Sequence, residues 1–364
     1  MEKFIPSLIV SALLITQSLY ADNVRVPQDY ATIQAAIDAS DQPRIIDISP
    51  GIYRENLTLK SRVTLRGQST ETTILTASEG KIIAIAEAQE ITIENLRIDG
   101  KNKCKYGIFL IQTDLHGAPS SKILIQDNLI ISMRGAGIFC DYASPTITNN
   151  HITEITGTGI EVHWKSPEIS NNSITATSKG LYCNSGCASH VLENNFERNI
   201  TSIDISHGAS PLIESNAIIQ SNRNGISVFH STPTIINNLI SESAWNGITF
   251  LSSGGTLNKN KIESSGINGI HIDASSTPTL GTKLNLGKNQ VISSIQYHVK
   301  NENKWDVDAE GNWWGKSPPD SNKFDGKVNY QNWLDFGPIA FKNKSVIFSE
   351  HENVAAGEVL RTYP

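Results

Sequence analysis

The sequence predicts an all-β parallel β-helix, on three observations. Seven asparagines, Asn128, Asn150, Asn172, Asn194, Asn216, Asn238 and Asn260, recur at an unbroken interval of 22 residues. An apolar residue stands three before each (Ile125, Ile147, Ile169, Val191, Ile213, Ile235, Leu257) and another two after (Ile130, Ile152, Ile174, Phe196, Ile218, Ile240, Ile262). A Gly-Ile pair closes most units, at Gly137, Gly159, Gly225, Gly247 and Gly269. A unit this short cannot bury a core alone, and its period-2 alternation reads strand, turn, strand, turn. Stacked copies make a solenoid.

The elements follow in order. Residues 1–21 read as a signal peptide, with Lys3, an apolar run from Phe4 to Leu19 and a small residue at Ala21, so the mature chain is expected to be secreted or periplasmic. Residues 22–121 form an N-terminal cap and irregular coils. A short strand near Val24 precedes a helix that starts at about Thr32, with Ile33, Ala36 and Ile37 on one face to cover the open end of the stack. Gly107 and Gly137 are 30 apart, so residues 112–121 are expected to project as a loop. Regular coils occupy 122–280. With the earlier coils, about ten in all, they predict a stack about 50 Å long. Residues 281–364 hold the last coils, a cap and a tail. The cap is expected in Gly311-Asn-Trp-Trp-Gly and Tyr330-Gln-Asn-Trp-Leu, with a sugar platform as the lesser alternative.

Charge excludes some partners. Thirty basic and 36 acidic residues, net −6, are mixed along the chain, leaving no basic stripe for nucleic acid and no polybasic membrane patch. No later apolar run is long enough to span a bilayer. Of the four cysteines, Cys183 and Cys187 flank an Asn-Ser-Gly turn and suit a local bridge; alternatively Cys183 and Cys140 are buried small hydrophobes. Those two, with Val162 in the coil between them, would lie about 9.6 Å apart, too far to bridge. The pairing of Cys104 stays open.

The stretch Pro27-Gln-Asp-Tyr-Ala-Thr-Ile-Gln-Ala-Ala-Ile, then Ile48-Ser-Pro-Gly-Ile-Tyr-Arg-Glu55, then Val63-Thr-Leu-Arg-Gly67 resembles the opening of pectin-lyase-like right-handed β-helix proteins, pectin methylesterases especially. The Asn-x-Ile coils resemble the repeats shared by polysaccharide lyases, hydrolases, epimerases and the periplasmic copper-associated NosD-like family. Asn312-Trp-Trp-Gly315 is similar to a C-terminal motif of bacterial members. The resemblance implies a right-handed single-stranded β-helix associated with carbohydrate. It implies no reaction, because the paired aspartates and Arg-Pro-Trp of the methylesterases, the Asp-Asp and Gly-His-Gly of polygalacturonases and the Asp-Pro-His-Asp of alginate epimerases are all missing.

Aligned on Gly-Ile, three columns of outward residues follow each glycine. The first reads Phe139, Glu161, Tyr182, Asp204, Ser227, Thr249, His271; the second Asp141, His163, Asn184, Ser206, Phe229, Leu251, Asp273; the third Tyr142, Trp164, Ser185, His207, His230, Ser252, Ala274. Aromatic faces for sugar stacking beside groups for proton transfer suit a polysaccharide groove. Glu161 and Asp204, each with a neighbouring histidine (His163, His207), are the expected acid–base groups. Their α-carbons are about 9.6 Å apart, compatible with the roughly 6.5–9.5 Å carboxyl spacing of an inverting hydrolase. Asp141, Tyr142, Trp164, Tyr182, Asn184, Phe229, His230, His271 and Asp273 are the expected substrate contacts. No cofactor is expected. His207 and His230, one coil apart with Asp204 nearby, leave a metal ion as an alternative. The partner expected is a polysaccharide or glycan, with hydrolase or lyase activity as an option; a non-catalytic NosD-like binding module or a surface interaction protein is the alternative.

Overall fold

The computed structural model describes residues 21–41, 43–112 and 122–337. The predicted leader except Ala21, the loop expected at 112–121 except Gln112, and the tail at 341–364 lie outside the described residues. Three parallel sheets of 11, 11 and 12 strands wrap one core. Each regular coil gives one strand to each sheet: Ile123–Gln126 to the first, Leu129–Ile131 to the second and Ala136–Asp141 to the third, each pairing with its counterpart in the next coil. The stack is longer than the ten coils expected, because the third sheet continues through Val299–Asn301 to Phe324–Asp325, past the last 22-residue unit.

Alternation places one set of side chains inside. In Thr158–His163, Ile160 and Val162 are buried while Glu161 and His163 face outward. Corners between sheets recur too, and each uses a residue in the left-handed region. Asn149, Glu154 and Trp164 mark the three corners of one coil, and the regular coils repeat them with φ between 45° and 69°. Val, Ile and Thr are absent from these corner columns, as the steric cost of left-handed φ for β-branched residues requires. The Gly column has another cause: a Cβ on Gly159 would lie 2.6 Å from the Gly180 carbonyl oxygen and 2.7 Å from Ile174 Cγ2. Successive coils approach too closely there for a side chain.

The seven asparagines form one buried ladder. Asn150 Nδ2 donates to Asn172 Oδ1 at 3.0 Å, and the Asn150 backbone N–H donates to the same oxygen at 2.9 Å. Nδ2 also reaches the Ile125 and Thr148 carbonyls. Two further rungs extend the ladder, Asn289 below Asn260 and Asn312 below Asn289. Their intervals of 29 and 23 residues conceal them from a 22-residue beat.

Both ends carry specific contacts. The helix Ile33–Asp38 buries Ile33, Ala36 and Ile37, and its first N–H groups donate to the Glu55 carboxylate. The Gln34 amide pairs with both the N–H and the carbonyl of Thr58, on the first strand of the third sheet. At the other end Asn312 is the last rung of the ladder and Trp314 is buried. Trp314 therefore belongs to the core and cannot serve as a sugar platform. Phe324 packs edge-on against it at 4.9 Å and stacks on Tyr330 at 4.1 Å. His298 lies beside Trp314, where burial first, and the Lys323 charge second, push its pKa down to about 4.

Cys183 and Cys187 are bridged, with α-carbons 5.6 Å apart. Cys104 and Cys140 are free and buried, and burial pushes the Cys140 thiol far up. Cys140, Val162 and Cys183 occupy successive coils in register, which keeps Cys140 out of reach of a bridge.

Candidate glycan-binding face

The third sheet presents its outward side chains in continuous files. Backbone pairing aligns Phe109, Phe139, Glu161, Tyr182, Asp204, Ser227, Thr249 and His271, in that order. A second file aligns Ile111, Asp141, His163 and Asn184, and further along Ser206, Phe229 and Leu251. The expected third file is not on the strands. Tyr142, Trp164, Ser185, His207, His230 and Ser252 stand at the left-handed corner, which rims the face.

Aromatic rings concentrate here. Phe109 and Phe139 stack at 5.1 Å, with Tyr106 tilted against both. At the corner Tyr142 and Trp164 stack at 5.7 Å and stand 41% and 53% exposed. In the regular coils the outward residues of the first and second sheets include no Phe, Tyr or Trp. This asymmetry distinguishes one face of a prism whose three faces share one backbone.

Glu161, His163 and Asp204 are each engaged by a neighbouring side chain. His163 Nε2 lies 2.9 Å from Glu161 Oε1, and the Asn184 amide nitrogen lies 3.4 Å from His163 Nδ1. These partners assign the proton to Nε2, donated to Glu161, with Nδ1 accepting. Glu161 and Asp204 stand two strand steps apart as expected, but Tyr182 stands between them. Asp204 is engaged: Lys179 Nζ is 2.8 Å from Oδ2, and the Ser206 hydroxyl donates to Oδ1 at 3.1 Å. Lys179 also lies over the Tyr182 ring at 3.8 Å, covering one of its faces.

Elsewhere the expected contacts divide. His207 and His230 each meet the Phe229 ring edge-on, at 5.7 and 4.2 Å. Among the described residues no group of three His, Cys, Asp or Glu side chains is placed to hold a metal ion, so the alternative built on His207, His230 and Asp204 finds no support. His271 Nδ1 meets Thr249 Oγ1 at 2.9 Å, and Nε2 lies 3.4 Å from Glu302. Asp273 is occupied by its own turn. Burial works to raise its pKa, but the Ser276 hydroxyl, the N–H groups of Ser252 and Ser275 and the His271 charge hold it below the usual carboxylate range. Asp141 lies outward in the second file.

Lysines at this face escaped the sequence reading. Lys81 Nζ lies 4.0 Å from the Phe109 ring centre and Lys105 Nζ 4.9 Å from that of Tyr106. The Lys105 ammonium is held above the ordinary lysine range, first by its hydrogen bond to Tyr106, then by the charges of Tyr106 and Glu161. Lys81, Lys105, Tyr106 and Phe109 precede the regular beat, and a register shift between Cys104 and Tyr106 hides their alignment. Projecting the Gly107–Gly137 match backwards would have found Phe109.

The sequence profile described as "right handed beta helix region" matches residues 49–196 and 145–291, together most of the chain. The chain belongs to the right-handed β-helix family. No curated protein matches it in sequence. Among solved structures, this β-helix is similar to the A-module of the mannuronan C-5 epimerase AlgE4 of Azotobacter vinelandii. The TM-score is 0.66 and the identity 16%, over 84% of this chain and 95% of the module. The AlgE6 A-module of the same organism gives a TM-score of 0.60 at 15% identity, with the same coverage. The catalytic unit of a GH87 α-1,3-glucanase from Streptomyces thermodiastaticus gives 0.53 at 14%, over 83% of this chain and 65% of the other. At these identities the likeness is one of fold.

Proposed function

We propose that this β-helix binds an extended polysaccharide along the outer face of its third sheet. The observation that carries this reading is the concentration of aromatic rings on that one face, with the stacked Tyr142–Trp164 pair at its rim. Rings present large, rigid apolar area at low entropic cost, which is what sugar C–H faces require. The structural relatives act on mannuronan and on α-1,3-glucan, so the fold accommodates such polymers.

If the face is catalytic, Glu161 and His163 are its acid–base pair, since their 2.9 Å contact allows proton exchange. Asp204 would join them only after release from Lys179. Export to an oxidising compartment fits the Cys183–Cys187 bridge. The short helix and the Trp314–Phe324–Tyr330 cluster act, in this reading, as caps that protect the two ends of the stack.

A glycan array with neutral and acidic polysaccharides, followed by assays for released reducing ends and for unsaturated products, tests the proposal. Binding with turnover that Glu161→Gln abolishes supports the catalytic version. Binding without turnover makes the protein a recognition module. A folded protein that binds no glycan rejects the reading.

A further inference from the structure

Corners after the third sheet are closed in different ways. Ser231 and Ser253 each donate a hydroxyl to the carbonyl two residues back, Phe229 at 2.9 Å and Leu251 at 2.8 Å. Between Cys183 and Cys187 the closure is covalent, and the ring it forms encloses Asn184, Ser185 and Gly186. Both cysteines are fully buried. Asn184 is the strand partner of His163, so the ring stands one coil along from the Glu161–His163 contact.

Hydrogen bonds connect the two. The Ser185 backbone N–H donates to Asn184 Oδ1 at 2.8 Å, which settles the two ends of that amide and turns Nδ2 toward His163 Nδ1, 3.4 Å away. An amide nitrogen can only donate, so Nδ1 accepts and the imidazole proton stands on Nε2, facing Glu161 Oε1 at 2.9 Å. The Asn184 carbonyl meanwhile receives the N–H of Cys187 at 3.2 Å, within the ring, and that of Trp164 at 3.4 Å.

We infer that the Cys183–Cys187 ring is a clamp that positions the candidate acid–base pair. Through Asn184 it holds His163 in the Nε2–H tautomer, with Glu161 as the acceptor of the pair, and it anchors the backbone at the rim residue Trp164. This rests on the reading of Glu161 and His163 given above and goes beyond it by naming what sets their proton. Asn184 and the two cysteines are positioning residues, since they act through His163. Which nitrogen of a neutral imidazole carries the proton is set by the partner of the other. The Ser185 N–H decides which end of the amide Asn184 presents, and a covalent ring keeps that N–H in place by removing backbone freedom at the corner. With both cysteines out of solvent, the ring is a fixed part of the site.

Nitrogen NMR of the full chain without ligand, at about pH 8 where imidazole is neutral, tests this. Wild-type His163 is expected to show two widely separated ring-nitrogen signals, with the proton on Nε2. Asn184→Ala leaves the bridge intact. Cys183→Val with Cys187→Ala leaves Asn184 in place and is patterned on the next coil, where Ile205 is the strand partner of Cys183 and Ala209 fills the corner. Each variant should draw the two signals toward each other as the second tautomer becomes populated. A mixture already present in wild type, or the wild-type pattern kept by either folded variant, overturns the clamp. If the cysteine variant does not fold, Asn184→Ala decides. The clamp can fail in this way while the catalytic reading stands. Signals that respond as expected, from a protein that turns over no glycan, would keep the clamp and overturn the catalytic reading.

Discussion

The asparagine corner and the outer face of the third sheet are built on the same coils, yet they use the repeat in opposite ways. At the corner every coil supplies the same residue, buried and fully hydrogen-bonded to the coils on either side. On the third face the backbone register is equally regular, but the side chain changes at each step: phenylalanine, glutamate, tyrosine, aspartate, serine, threonine, histidine. Repetition marks the positions the stack needs. Variation within a fixed register marks positions it leaves free, and there chemistry can be placed without disturbing the fold.

The sharpest way to break this contrast is to damage each region in turn. Asn172→Leu removes the donors to the Ile147 and Ser170 carbonyls and the acceptor of two Asn150 N–H groups. Several orphaned buried groups should cost about 4 kcal/mol, read as a lowered urea midpoint and faster hydrogen exchange in the flanking coils. Glu161→Gln should stay within about 0.5 kcal/mol of wild type. Equal losses would mean that the third face is structural too.

The next effect lies beyond the regular coils. His298 has a folded pKa of about 4 against an ordinary 6.5, because burial disfavours its charged form. The unfolded chain therefore takes up the proton first, and the stability contributed by neutral His298 is present above pH 6.5 and lost as pH falls toward 4. The expected loss is about 3 kcal/mol across that window. His298→Gln should flatten this part of the profile of Tm against pH. An unchanged slope would assign the acid sensitivity to other groups.

Smaller effects probe the rim. Trp164→Ala should weaken oligosaccharide binding by about 0.5–1.5 kcal/mol while leaving the unfolding midpoint nearly unmoved, since the ring is half exposed. A large stability loss without a binding loss would return the Tyr142–Trp164 pair to the scaffold. The smallest expected change is at Ser185, whose φ of 53° suits glycine. Ser185→Gly should alter stability by no more than about 0.5 kcal/mol, whereas Ser185→Val should cost about 1–2 kcal/mol.

What was legible in the sequence follows the same division. The ladder, the inward Ile and Val positions and the order of the outward files could be read because they depend on one period. Asn289 and Asn312 were lost to it when the intervals lengthened, and Asn312 looked like part of an aromatic motif although its role is that of the last rung. The files predicted which residues neighbour one another, but not which side chains are already satisfied. Asp204 is held by a lysine one coil away and Asp273 by its own turn, contacts that depend on rotamers and corner geometry. Lys81, Lys105, Tyr106 and Phe109 lay in coils with no beat to align them.

The ladder also sets a ruler. Because each asparagine accepts from the coil before it and donates to the coil after it, a segment of 22 residues can be removed or duplicated with both cut ends finding an equivalent partner. Such a change would shift everything downstream by one strand spacing, about 4.8 Å, and would leave every remaining coil intact. Separations along the outer face are therefore available in whole steps. A protein of this design can change the length of ligand it spans by counting coils, with no need to remodel any one of them.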